Sequence, residues 1–572
     1  MKKHFIKILS AALCVALLLS SIPFWAMAGN DELKFTVASD THFQCRSDAG
    51  SPAAETQFAE GMLDRETYYH ATFQGQMNHE SEAIIRSMLN DFVKSDSEYL
   101  LIPGDLTCGK RQSHIEFAQL LKDAEEKSGK KIFVICGNHD CDEKSTEQYI
   151  DIKEFKEIYA DFGFNDADAF DPASASYAVD LSDNYRLLAI DSCVYGEDDG
   201  ELRKNTLNWI AEQADTAKKD GKYVIAMMHH SLLPHFTVQP MIKNYAKFAE
   251  KFADMGIKLV FTGHLHANDV SMTNSKKGNT VYDIQTGALI TSPNAYRVVS
   301  VKDSEVKLES RYVTKIDTQY LPDGFTAEQV NLMKKDFPSY AYGYFEAGIC
   351  RWLNRYIGSA GKVGKFLKLD PESKGYEIVD TIMKNIGEAL LLPIYDDGKT
   401  PDKIDSIEEI AKISGVTLPE SKYERVYQLA AKIMNGFYHG DEDASVKDTE
   451  FPLFYACFKA VLARTITNFK FTTKTAKSFN SAMGSLFGVE PYDIALKGTA
   501  KIGYACGAAD KILESVLYNV CDGLVEDLSQ PSDINLTITG YGVNDTAEKE
   551  FQLSVFKRIM MFFKNFFSYL FK

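Results

Sequence analysis

Aspartate, asparagine and histidine together offer carboxylate oxygen, amide oxygen and imidazole nitrogen, and they recur in five short blocks along the first half of the chain. The blocks are Asp40-Thr41-His42, Gly104-Asp105, Gly137-Asn138-His139-Asp140, His229-His230 and Gly263-His264-Leu265-His266, and they hold six of the 12 histidines. Oxygen and nitrogen donors without thiolate suit Mn, Fe, Zn or a similar divalent ion better than a soft-metal site. The donors in these blocks are too many for one such ion. Two ions sharing a bridging carboxylate would use them all, and enzymes use that arrangement for in-line displacement at phosphorus.

Each block directly follows a largely apolar run: Phe35 to Ser39, Tyr99 to Pro103, Ile132 to Cys136, Tyr223 to Met228 and Leu259 to Thr262. A short apolar run bounded by Gly or polar residues is the pattern of a strand buried on both faces. Open α/β sheets bind their ligands in the crevice at the carboxyl ends of such strands, so the five blocks are expected to converge. Only one of the adjacent His229 and His230 should face the crevice, because neighbouring residues at a strand end point to opposite faces.

In order and content the blocks resemble the calcineurin-like metallophosphoesterase superfamily, whose pattern is DxH, GD, GNH[DE], H, GHxH. The resemblance covers residues 40 to 266. It implies a four-layer α/β sandwich, two central mixed β-sheets flanked by helices. It also implies that Asp40, His42 and His266 bind one divalent ion, that Asn138, His229 and His264 bind a second, and that Asp105 bridges them. The implied cofactors are two ions, with Mn, Fe or Zn in view. The implied reaction is attack on a phosphoester by a hydroxide held between the ions. His139 would be no ligand; it would reach the substrate as the catalytic residue, with Asp140 to orient it, a role typically worth roughly 100 to 10,000-fold in rate.

The same text separates subfamilies. Protein Ser/Thr phosphatases carry GDxVDRG and GNHE, whereas this chain reads Gly104-Asp105-Leu106-Thr107-Cys108-Gly109-Lys110 and GNHD. Purple acid phosphatases place a metal-binding Tyr three residues after the bridging Asp, where Cys108 stands. In what remains the chain resembles the broad bacterial group acting on phosphodiesters or phosphomonoesters. His114 is a further residue to place, as a site-lining side chain or a surface histidine, with Ser113 at a helix start.

The 572 residues, 45% of them hydrophobic, suffice for more than one core. Lys2, Lys3 and Lys7 precede an apolar stretch from Ile8 to Leu19, and Ala26-Met27-Ala28 reads as a cleavage site, so residues 1–28 are expected to be a signal peptide of an exported protein. Removing those lysines and no acid takes the net charge from −17 to −20. Such an acidic chain carries no strong nucleic-acid signature, since that binding needs Lys and Arg to neutralise phosphates. Nine of the 10 cysteines remain after Cys14 leaves, an odd, scattered set unlike a disulfide framework, with a Cys45–Cys108 bridge the pairing to check.

Residues 31–315 alternate strand-like and helix-like segments. The insertion from 43 to 80 is long enough to be a lid, with Tyr68, Tyr69, His70 and His79 as candidate substrate contacts or surface residues. The run from Arg186 to Ile190 reads as a core strand ending in Asp191. After a linker at Asp317 to Phe325, residues 325–545 are mainly α-helical in pattern, with helices expected around 327–337, 376–392, 421–435 and 454–468. The segment 551–572 has the polar stripe of an amphipathic helix suited to a membrane surface or to docking on the protein itself. Two function classes follow: a secreted metal-dependent phosphoesterase, and a catalytically weak envelope scaffold retaining the fold.

Overall fold

The computed structural model describes residues 32–50, 52, 75–235, 241–302, 305–357, 359–361, 370–399, 404–440, 442, 450–468 and 533–539. The proposed signal peptide, most of the 43–80 insertion with Tyr68, Tyr69 and His70, and the 551–572 segment lie outside them. The strands are β1 (Leu33–Val37), β2 (Tyr99–Pro103), β3 (Lys131–Ile135), β4 (Ala169–Phe170), β5 (Tyr177–Asp180), β6 (Tyr185–Ile190), β7 (Tyr223–Met228), β8 (Leu259–Thr262), β9 (Asp269–Asn274), β10 (Thr280–Gln285), β11 (Ala295–Lys302), β12 (Glu305–Tyr312) and β13 (Asn535–Thr539). The main helices are α1 (Ser81–Lys94), α2 (Arg111–Ser128), α3 (Ile152–Ile158), α4 (Lys204–Lys219), α5 (Tyr245–Met255), α6 (Ala327–Lys335), α7 (Phe337–Ile357), α8 (Lys374–Ala389), α9 (Ile407–Ser414), α10 (Val426–His439) and α11 (Glu450–Asn468).

Two mixed sheets form the centre. The first runs β13-β12-β11-β1-β2-β3 and the second β4-β5-β6-β7-β8-β10-β9. Strands β1, β2 and β3 are parallel, as are β6, β7, β8 and β10. The apolar runs of β6 and β7 are buried at every position because both faces are covered. Leu187 and Met227 enter the core shared with the first sheet, while Leu188 and Ala226 face the core under α4 and α5. Phe35 of β1 and Phe261 of β8 meet edge to face at 5.2 Å, joining the sheets near the site.

The expected linker is packed rather than free. Leu321 is buried, and Tyr320 and Phe325 lie against the main core, which continues into α7 through Phe337, Tyr340 and Tyr344. Glu80, buried at the start of α1, accepts a hydrogen bond from the Tyr340 hydroxyl. Helices α7 to α11 share a core of their own that includes Cys350, Ile386, Ile410, Leu429 and Leu453. Four of the helices fall near their expected positions; α7 and α9 add two that the pattern does not single out. Strand β13, far along the chain, pairs antiparallel with β12. Fully buried Arg297 fixes this return, donating to the Gln285 carbonyl, the Ser310 hydroxyl and, at 2.6 Å, the Asp533 carbonyl. Among the described residues no helix is long and apolar enough to cross a membrane.

Candidate metal centre

Five strands deliver the site from their carboxyl ends. Asp40 and His42 follow β1, Asp105 follows β2, Asn138 follows β3, His229 follows β7, and His264 and His266 follow β8. The loops are tied together through their backbones: the Asp40 N–H donates to the Gly104 carbonyl at 3.3 Å, and the His42 N–H to the Asp105 carbonyl at 2.9 Å. The Gly263 N–H donates to the His229 carbonyl at 3.0 Å. Asp40, His42, Asp105, His264 and His266 all have φ between +35° and +74°, and among the described residues only Asn244 and Asn294 join them as non-glycines on that side of the map. Left-handed backbone costs an L-residue about 1–2 kcal/mol, least for Asp and Asn, so its concentration at one spot marks a site whose surroundings hold it.

Asp105 is the centre of the cluster. Its Oδ2 lies 3.5 Å from His42 Nε2 and 3.3 Å from His229 Nε2. On one side Asp40, His42, Asp105 and His266 bring ligand atoms within 4.8 Å of one another, all buried. Here His42 Nε2 and His266 Nε2 stand 3.2 Å apart, and His266 Nε2 is 3.5 Å from Asp40 Oδ1. On the other side Asn138 Oδ1 lies 2.9 Å from His229 Nε2 and 3.0 Å from His264 Nδ1. All seven residues singled out as ligands therefore meet in one place. Gly137 is glycine for a local reason: a Cβ there would stand 2.1 Å from Asp105 Oδ1.

The donor set suits cations. Buried Asp105 Oδ2 has no hydrogen-bond partner, a costly arrangement for a carboxylate unless a cation meets it. Burial pushes His42 and His264 down to about 3, so both are neutral imidazoles able to donate a lone pair. For Asp105, burial works against ionisation, but His229 and His139 outweigh it and hold the carboxyl well below its ordinary range. Burial likewise opposes a charged His229, yet Asp105 raises that imidazole to about 9. A buried carboxylate that draws a proton onto its neighbour is asking for positive charge. His229 Nδ1 lies 3.0 Å from the Pro103 carbonyl, an acceptor only, so Nδ1 carries the proton and Nε2 is aimed at the cluster. His230 instead turns Nδ1 to Ser192 Oγ at 2.9 Å, which separates the adjacent pair.

His139 is exposed, its ring edge-on to His42 with centroids 5.4 Å apart, and its backbone N–H donates to Asp105 Oδ1 at 3.0 Å. Asp140 does not face that ring. Its carboxylate accepts the N–H groups of Gly137 at 2.8 Å, Thr107 at 3.0 Å and Leu106 at 3.2 Å, so it fastens the β2 loop to the β3 loop. This corrects the expectation that Asp140 orients His139. His114 is neither at the surface nor in the site: fully buried, it meets Thr107 Oγ1, the Asp140 carbonyl and the Tyr159 hydroxyl at 2.8 to 2.9 Å. Ser113 sits inside α2 rather than capping it, donating to Asp48 at 2.5 Å. His79 is buried edge-on to Phe325.

Cys45 and Cys108 are free thiols, so the bridge considered for them is absent. Cys108 Sγ accepts from Gln44 Nε2 at 3.1 Å, and burial pushes its thiol up to about 11. Asp191 follows buried β6, as the pattern indicated, and accepts the Ala175 and Cys193 N–H groups.

Residues 33–268 match the family model described as calcineurin-like phosphoesterase. A 3',5'-cyclic adenosine monophosphate phosphodiesterase of Haemophilus influenzae is 26% identical over 193 residues, covering 32% of this chain and 61% of the relative. A probable cyclic nucleotide phosphodiesterase of Psychrobacter arcticus is 26% identical over 207 residues, covering 35% of this chain and 66% of the relative. A cAMP/cGMP dual specificity phosphodiesterase of Mycobacterium tuberculosis is 24% identical over 171 residues, covering 29% and 48%. The chain thus spans about half to two thirds of the length of these relatives. Among solved structures, a dimetal phosphatase of Danio rerio aligns with TM-score 0.36 and 12% identity over 49% of this chain and 96% of that one. A purple acid phosphatase of yellow lupin aligns with TM-score 0.33 and 13% identity over 50% and 52%.

Proposed function

We propose that the protein is an exported, metal-dependent phosphoric ester hydrolase acting on phosphodiesters or phosphomonoesters, with cyclic nucleotide diesters the first to test because three relatives carry that activity in their names. The observation that carries this reading is Asp105 Oδ2, buried without a hydrogen-bond partner between the two groups of ligand residues. Asp40, His42 and His266 would hold one divalent ion, Asn138, His229 and His264 the other, and Asp105 both. When bound, such ions lower the pKa of coordinated water and offset charge on the phosphoryl oxygens. The chain's own part is orientation and proton transfer. His139, exposed with its ring against that of His42, would give an imidazole proton to the leaving oxygen. Asp140 and His114 hold the loops that carry Asp105 and Asn138.

The test is hydrolysis of aryl and cyclic-nucleotide phosphoesters, mono- and diesters, by protein loaded with Mn or Zn, with Asp105→Ala as control. Metal-dependent turnover absent from that variant is the expected result. No turnover on any member of the panel would favour the envelope scaffold. Export rests on the leader pattern of residues 1–28, and intact mass of the protein recovered outside the cytoplasm should lack them.

A further inference from the structure

We propose that Cys136, Asp191 and Cys193 form a separate binding site for a thiophilic divalent cation such as Zn2+, at the seam between the two sheets. Cys136 follows β3 of the first sheet, and Asp191 and Cys193 follow β6 of the second. One ligand atom from each lies within 4.8 Å of the other two. A tetrahedral zinc site needs donor-to-donor edges of roughly 3.3 to 3.8 Å, which small side-chain rotations would supply. The Cys193 thiol already donates to the Cys136 carbonyl at 3.4 Å across the seam.

The carboxylate sets this cluster apart from a thiol pair awaiting oxidation. Asp191 is held by the Ala175 N–H at 3.1 Å and the Cys193 N–H at 3.0 Å, so its remaining lone pairs stay beside the two sulfurs. A disulfide has no use for a fixed anion; a cation does. The cluster opens to a cleft that Cys141 and Arg203 also line, which gives an ion and a water as fourth ligand a way in. Asn138 lines the same cleft, two residues beyond Cys136, so an ion there would pin the strand end that presents Asn138. Thiolate donors favour a softer ion than the oxygen and nitrogen set around Asp105.

Full-length protein stripped of metal under reductant and titrated with Co2+ decides the matter. The wild type should show a near-ultraviolet thiolate-to-cobalt charge-transfer band and bind one ion per chain more than C193S or C136S. Asp191→Asn, which keeps the side chain's shape, should weaken that ion by at least about tenfold. Asp105→Ala should keep the band, so the result does not depend on the phosphoesterase reading. Absence of the band at saturating Co2+, its persistence in C193S, or a Cys136–Cys193 disulfide in protein isolated without reductant would overturn the proposal.

Discussion

The Asn268 N–H donates to the Tyr438 carbonyl at 3.3 Å, joining the loop that carries His264 and His266 to the last turn of α10 in the helical half. Around this bond Leu265 and Ala267, which alternate with the two histidines, pack on Phe345, Ala431, Phe437 and Tyr438. From the other side the Asn268 carboxamide oxygen accepts the Gly287 N–H at 2.9 Å. The helical half is thus the wall against which two left-handed ligand residues are held.

That role predicts a paired result at two helix ends. Gly440 ends α10 at φ +85° and a Cβ there would stand 2.9 Å from the Asn268 carbonyl, whereas Gly415 ends α9 at φ +69° with nothing within 4 Å. Gly440→Ala and Gly415→Ala both pay the left-handed penalty of about 1–2 kcal/mol, but only the first pushes on the loop. Metal affinity, read by competition with a chelator, should fall in Gly440→Ala and hold in Gly415→Ala. Equal affinities would mean that the helices do not set the loop.

What the sequence makes legible is local, and what it hides is brought from a distance. The five blocks can be read because the ligands follow apolar strands, whereas strand alternation says only that one of His229 and His230 faces the site, and the Ser192 bond of His230 is what separates them. Asp140 cannot be read that way: two of its three N–H partners belong to Leu106 and Thr107, in another loop. Nor can β13, a five-residue run whose partner β12 lies across the whole helical half, or buried Arg297, whose acceptor at Asp533 is equally remote. Four of the helices, α10 among them, are legible as helices, but the contact of α7 and α10 with Leu265 and Ala267 depends on packing that no periodicity encodes.

Asp140 as a fastener leads to a different outcome from Asp140 as a partner of His139. Asp140→Ala removes the acceptor of three backbone N–H groups in a fully buried setting. Leaving a buried N–H without an acceptor costs about 1–3 kcal/mol, so with three of them a loss of about 3 kcal/mol or more in unfolding free energy is expected, together with lost metal. Urea titration and elemental analysis check both. A variant that stays stable and metal-loaded while losing only turnover would return Asp140 to the proton-transfer role.

His235 carries a pH dependence of its own. It is fully buried, with Nδ1 2.9 Å from Asp269 Oδ1 and Nε2 3.4 Å from Asp283 Oδ2. Burial opposes its charge, but Asp269 and Asp283 prevail and raise it to about 10. A histidine raised above its unfolded value of about 6.5 stabilises fully below that pH, and its contribution disappears as pH rises through 10. The stability gap between wild type and His235→Asn, on the order of a few kcal/mol at pH 6, should therefore shrink steadily between pH 6.5 and 10. A gap that is constant with pH would show that the ring is neutral in the folded protein.

His139 and Asp105 touch through a backbone bond yet should fail in opposite ways. The His139 side chain is exposed and supplies none of the close contacts within the seven-residue cluster, while its N–H, which any residue retains, is what Asp105 Oδ1 uses. His139→Ala should then bind both ions with unchanged stoichiometry and lose turnover by roughly 100 to 10,000-fold, the range for a lost proton donor. The loss should be smaller for an aryl ester whose leaving group needs no proton, which a merely structural residue would not discriminate. Asp105→Ala removes the one carboxylate within 3.5 Å of both ligand groups and should lose metal and turnover together. Elemental analysis beside rates on activated and unactivated esters separates the two, and loss of metal from His139→Ala would end the division of roles.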